Sequence, residues 1–132
     1  MKQIITSGKR KRAVAKAHIK AGTGRVKINN RLLEFYTPSI AKMKLTEPIL
    51  LCGGSEKFDI NVKISGGGVM SQADAGRLAI AKAIVAFTKD KKLEKAYLEY
   101  DRHLLVADVR RRESRKPNTH GKARAKRQKS YR

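Results

Sequence analysis

Residues 57–70, KFDINVKISGGGVM, carry the reading on which the fold turns. Phe58, Ile60, Val62 and Ile64 alternate with Asp59, Asn61 and Lys63, the period of a strand that rests one face on a core and turns the other to water. Three glycines follow, Gly66 to Gly68, and the apolar period then becomes helical: Leu78, Ile80, Ala81, Ile84, Val85 and Phe87 cover a wide arc as far as about Thr88. Ser71 is placed to cap that helix, with Asp74 three residues on where a capping box has Glu. So broad an apolar arc predicts a helix packed between a sheet and a second helix. The expected class is α/β (α+β), a sheet packed against two helices.

Working back from that strand, RAVAKAHIK puts Ala13, Ala15, Ala17 and Ile19 on one face and Lys16, His18 and Lys20 on the other. It reads as a half-buried strand. The GTG at Gly22 to Gly24 is a turn, RVKI a second strand, and the two are expected to form a hairpin. Asn29 and Asn30 supply the next turn, because Asn tolerates a positive φ. Between Arg31 and Leu51, LLEFY and IAKMKL read as short helical pieces separated by Pro38 and ended near Pro48. Working forward, Asp90 to Tyr100 is the second helix, with Leu93, Ala96, Tyr97 and Tyr100 at helical spacing, and LLVAD is a short buried strand.

The charge is distributed as unevenly as the periodicity. Of 32 Lys and Arg against 11 Asp and Glu in 132 residues, seven basic and no acidic residues fall in 1–20, and eleven basic with one acidic in 109–132; the middle is nearly balanced. A net charge of +21 repels itself until a polyanion neutralises it, and phosphate backbones do so with release of counterions. An anionic membrane is the rival partner. It is disfavoured, since LTEPILLCGG is the greasiest stretch and a span needs about 20 apolar residues, and no secretory signal pattern is expected. The single cysteine, Cys52, reads as a buried, reduced thiol of a cytosolic protein. Residues 1–108 therefore read as a compact domain and 109–132 as a basic tail. Val109 and Tyr131 are the tail's only large apolar residues, too few to offset the entropy of ordering a backbone, and fully extended it would reach about 80 Å.

GKRKR at Gly8 to Arg12 leads directly into a strand, so Lys9, Arg10, Lys11 and Arg12 are held in place; a phosphate clamp is favoured over a solvated charge run or a nuclear-import patch. Gly66, Gly67 and Gly68 stand where backbone N–H groups cradle phosphate, or where a turn simply needs positive φ. The chain has no GxxxxGK[ST] and no GxGxxG, which argues against a nucleotide site. His18, His103 and His120 lie in three separate elements and with one Cys make no zinc spacing. No catalytic set is expected, and no cofactor. With no Trp, three Phe and four Tyr there is no base-stacking platform, so recognition is expected to be of phosphate and shape. A DNA-compacting protein and a small kinase-like enzyme built on the glycine loop stay open as alternatives.

Read in order, GKRKRAVAKAHIKAGTGRVKINNRLLE, MKLTEPILLCG, KISGGGVMSQADAGRLAIAKAIVAF, EYDRHLLVADVRRRESRK and QKSYR resemble the small-subunit ribosomal proteins of the S-nine family over almost the whole chain. EPILLCG and QKSYR are similar to its archaeal and eukaryotic members, and the short N-terminus favours an archaeal source. The resemblance implies a ribosomal S-five-domain-two-like domain on rRNA in the head of the small subunit, among neighbouring head proteins. It also implies a tail reaching the anticodon stem-loop of the peptidyl-site tRNA. The domain would bind rRNA through Lys9 to Arg12, Lys16 and the three glycines, and the tail through Arg110, Arg111, Arg112, Arg115, Lys116, Lys122, Arg124, Lys126 and Arg127. By position, contact with tRNA falls on Arg132, with Lys129 beside it. Such a protein is cytoplasmic, is not an enzyme, and has no membrane or small-molecule partner. The chain departs from the family where Asp108-Val109-Arg110 replaces the usual Asp-Pro-Arg, which leaves the bend less fixed, and where KPNTHG replaces an aromatic followed by Gly. Asn30 also stands where Gly is usual.

Overall fold

The computed structural model describes residues 3–118 together with 123, 124 and 130. Strand β1 spans Gln3–Arg10 and β2 spans Ala13–Ala21; β3 (Val26–Ile28) and β4 (Arg31–Leu32) follow. A 3-10 turn at Leu33–Phe35 leads to helix α1 (Ser39–Leu51), strand β5 (Phe58–Ser65), helix α2 (Val69–Thr88) and helix α3 (Lys91–Tyr100). The sheet runs in the order β1-β2-β5-β3-β4.

The alternation read in β2 and β5 is real. Ala13, Ala15, Ala17 and Ile19 of β2 and Phe58, Ile60, Val62 and Ile64 of β5 are buried under α2, where Ala75, Ala79 and Ala83 let the helix lie close. The expected hairpin between β2 and β3 does not form, because β5 lies between them, antiparallel to β2 and parallel to β3. One carboxylate secures that crossing: Asp59 Oδ1 accepts from the backbone N–H of Thr23 (2.9 Å), Gly24 (3.1 Å) and Arg25 (2.9 Å). Asn29 does similar work at the other end of β3. Its side chain donates to Ile64 O (3.1 Å) and accepts from Ile64 N (2.8 Å) while its own φ is +48°.

The Arg25 N–H first, then those of Thr23 and Gly24 together with nearby Lys20, hold the Asp59 carboxyl below its ordinary range. A folded pKa below the unfolded value of about 3.9 means that the stabilisation is complete above that pH and is lost as pH falls through the folded value. Asp59→Asn should therefore lower the thermal midpoint at pH 7, and the gap from wild type should close in strong acid. Equal midpoints at pH 7 would show that the turn does not depend on the carboxylate.

The structure corrects further expectations. The N-terminal charge run is built into the sheet rather than only leading into it: Gln3–Arg10 is an edge strand paired along its length with β2, and Lys11-Arg12 is the two-residue turn between them. Residues 39–51 form one helix with Pro48 inside it; the proline's ring is buried, and its carbonyl accepts the buried Tyr97 hydroxyl at 2.5 Å. Helix α2 starts two residues before Ser71, with Gly68 at its N-cap and no side-chain cap, and Asp74 pairs with Lys44 at 2.8 Å instead. LLVAD forms no strand, because Asp101 accepts from His103 N (2.9 Å) and winds Arg102–Leu104 into a 3-10 turn that buries Leu104. Cys52 is half-buried rather than buried, and that partial burial pushes its thiol pKa up. Tyr100 is exposed, whereas Tyr97 of the same helix is fully buried.

Candidate nucleic-acid interface

Two backbone turns meet at one end of the sheet. The β1–β2 turn holds Lys11 at φ +52°, a left-handed conformation that is costly for a residue with a side chain. The glycine loop packs directly on it. A Cβ at Gly66 would stand 2.6 Å from Arg12 O, and one at Gly67 would stand 3.0 Å from Ala13 N, with φ of +76° and +65° at the two glycines. Gly66 and Gly67 are therefore required by positive φ and close approach. Gly68 is not, since a Cβ there meets open space.

Beyond these turns the chain returns past the same corner. Arg10, Lys11, Arg12, Arg110, Arg111 and Arg112 line one cleft with Gly67, Gly68 and Ser71, and its volume is about 750 Å³. It opens at the start of α2, where the first backbone N–H groups have no partner within the helix. That end carries partial positive charge, which the six cations reinforce.

The six are not equivalent. Arg10 is a strut: its side chain is 18% exposed, with Nη1 3.1 Å from Asp108 and Nε 4.0 Å from Asp74. The Nη1 approach is that of an ion pair without an aligned hydrogen bond. Arg110 grips Asp108 with Nε (3.1 Å to both oxygens) and Nη2 (2.8 Å), and its backbone N–H donates to the same carboxylate at 3.1 Å. These contacts, led by the Arg110 side chain, hold the Asp108 carboxyl far below its ordinary range. Arg111 donates to Asp108 O and Arg110 O, each at 3.1 Å. Lys11, Arg12, Arg111 and Arg112 are exposed around the opening. With six cations over the carboxylates of Asp74 and Asp108, the cleft retains a large positive excess.

A second network steadies the same corner from below. Arg77 of α2 joins Glu47 of α1 (2.6 Å) to Asp101 after α3 (2.9 Å). Burial opposes the Arg77 charge, and the hydrogen bond to Asp101 with the Glu47 charge more than restores it.

Of the other residues expected at the site, Lys9 is exposed on β1 on the side opposite Arg10, and Lys16 is exposed on β2. Neither lines the cleft. Arg115 and Lys116 are exposed in a stretch without helix or strand, and Arg124 pairs with Glu113, Nε to Oε2 at 2.9 Å and Nη2 to Oε1. Lys122, Lys126, Arg127, Lys129 and Arg132 lie outside the described residues, as does His120. Ser71 was read as a helix cap and instead lines the cleft; its place three residues after Gly68 was the available signal.

No helix among the described residues is long and apolar enough to cross a membrane. The family described as Ribosomal protein S9/S16 matches residues 8–132. The chain is also 48% identical, over 134 aligned positions that cover all of both chains, to the small ribosomal subunit protein uS9 of Methanococcus maripaludis strain C7, and equally to that of strain C5. A cationic cleft suits a constituent of a ribonucleoprotein, and the match spans the turns, the glycine loop and the basic C-terminal segment alike. The chain accordingly belongs to the Ribosomal protein S9/S16 family in its archaeal type, a structural constituent of the small subunit of the cytoplasmic ribosome and not an enzyme.

Proposed function

We propose that the protein binds rRNA in the head of the small subunit through the cleft and carries a basic tail to the peptidyl-site tRNA. The observation that carries this reading is the convergence of the Lys11-Arg12 turn, the Gly66–Gly68 loop and Arg110 to Arg112 at the open start of α2. Residues 1–108 are the rRNA-binding domain, of the ribosomal S-five-domain-two-like type, and 109–132 the extended tail. Lys9, Lys16, Arg115, Lys116, Lys122, Arg124, Lys126 and Arg127 add phosphate contacts along the way. Arg10 positions the tail root through Asp108 and reaches rRNA only at its exposed edge. Lys129 and Arg132 meet the backbone of the tRNA anticodon stem-loop, where a planar guanidinium can bridge phosphate oxygens. The exposed Ile40, Met43 and Leu50 on α1 offer an apolar surface to a neighbouring head protein.

Deletion of residues 129–132 tests the tail. Assembly into small subunits should proceed as in wild type, because the cleft is untouched. Peptidyl-site tRNA should bind roughly tenfold more weakly for the two lost cations. Unchanged tRNA affinity in the assembled subunit would overturn this role.

A further inference from the structure

The helices cover one face of the sheet; among the described residues none covers the other. On that open face β2 and β5 set Lys16 opposite Lys63, His18 opposite Asn61 and Lys20 opposite Asp59, and β3 adds Lys27 opposite Asn61. Together with Gln3 and Arg25, all of these but Lys16, which stands just beyond its end, border a groove of about 490 Å³. We infer that this groove is a second RNA-backbone site, recognised through Lys20, Arg25, Lys27 and Lys63, so that the domain grips two separate stretches of rRNA. The inference rests on the proposed rRNA-binding role and extends it to a groove that shares no lining residue with the cleft.

Two observations set this face apart from an ordinary solvated one. Lys16 and Lys63 stand directly across from each other on neighbouring strands, and like charges so placed destabilise a sheet. Ser7, across from Lys16 on β1, is neutral and offers no relief. A phosphate between the two ammonium groups converts that repulsion into attraction. Secondly, the groove's one carboxylate is committed elsewhere: Asp59 Oδ1 takes three backbone N–H bonds at the Thr23–Arg25 turn. Its charge still faces Lys20, but Lys27 and Lys63 are left without a carboxylate partner within the groove. Gln3 and His18, whose side-chain nitrogens stand 3.5 Å apart, and Asn61 add polar groups for ribose hydroxyls or phosphate oxygens. Among the described residues no Phe or Tyr lines the groove, so binding would be to backbone without base stacking.

The test is the salt dependence of binding to small-subunit rRNA purified from Methanococcus maripaludis, using the full chain, Lys20→Gln/Lys27→Gln/Lys63→Gln, and Lys11→Gln/Arg12→Gln. Because all three groove lysines are exposed, and Lys63→Gln relieves the repulsion from Lys16, the triple variant should melt close to or slightly above wild type. Each phosphate contact contributes roughly 0.7 to 0.9 to the slope of log K against log salt, so the triple variant should lose about 2 and the cleft variant between about 1 and 2. An unchanged slope in the triple variant, with the cleft variant reduced, would overturn the second site and leave the proposed function standing. Unchanged slopes in both would overturn both. Polyglutamate is the competing probe: if the triple variant loses polyglutamate binding while its rRNA slope stays at the wild-type value, the groove takes an acidic protein surface and the inference fails.

Discussion

Gly8→Val should unfold the protein more readily than any other single substitution on the β1 strand. An ideal Cβ at Gly8 would sit 2.4 Å from Ala75 O and 2.8 Å from Ala79 N, both backbone atoms of α2, and 3.1 Å from Leu78 Cβ. Backbone in the middle of a 20-residue helix cannot turn aside as a flexible side chain can, so β1 must lift away. Lifting it also breaks the bond from Thr6 Oγ1 to Ala79 O, now 2.8 Å, and draws Arg10 from Asp108. Overpacking of this kind costs typically 1–3 kcal/mol, and rigid neighbours put this site at about 3 kcal/mol or more. That corresponds to a fall in the thermal midpoint on the order of 10 °C. Ser7→Val, one residue away on the open face, is the control and should melt close to wild type. If Gly8→Val also melts with wild type, β1 is not seated on α2 as described.

The same contact explains why β1 escaped the sequence reading while β2 and β5 did not. Half-buried strands announce themselves by large apolar residues at every second position, as Phe58, Ile60, Val62 and Ile64 do. In β1 the positions facing the helix are Ile4, Thr6 and Gly8, because α2 passes too close for larger side chains. The apolar signal is thereby erased by the packing it serves. The parallel pairing of β3 with β5 was hidden for another reason: it depends on Asp59 reaching across to a turn that precedes it by some 35 residues. Expecting a β2–β3 hairpin also concealed the open-face groove. Lys20 and Lys63 were each read as outward-facing, but only β5 lying beside β2 brings them to one groove. At the cleft, the charge run was legible and its internal division was not. Nothing local to Arg10 shows that its partner is Asp108, at the other end of the domain.

That division predicts which cations carry affinity, and Lys11→Glu/Arg12→Glu should give the largest loss of rRNA binding among substitutions at the cleft. Both residues are exposed at the turn and border the cleft, whereas Arg10 is already engaged by Asp108 and Asp74. Two lost phosphate contacts at roughly 0.9 each amount to about 1.8 decades of affinity between 1 M and 0.1 M salt, or on the order of 50-fold at 0.1 M; reversing the charges adds repulsion. Arg10→Gln should show the opposite balance. It removes the strut beneath the tail root and so lowers the thermal midpoint, but it should reduce the salt slope by less than one contact. Filter binding to small-subunit rRNA across a salt series, with thermal unfolding of the same preparations, separates the two effects. A slope for Lys11→Glu/Arg12→Glu equal to wild type would remove the turn from the interface. A full unit of slope lost in Arg10→Gln would mean that Arg10 leaves Asp108 for phosphate when RNA is bound. The left-handed Lys11 makes the turn variant informative, because the tight β1–β2 turn fixes where its side chain leaves the backbone at the edge of the cleft.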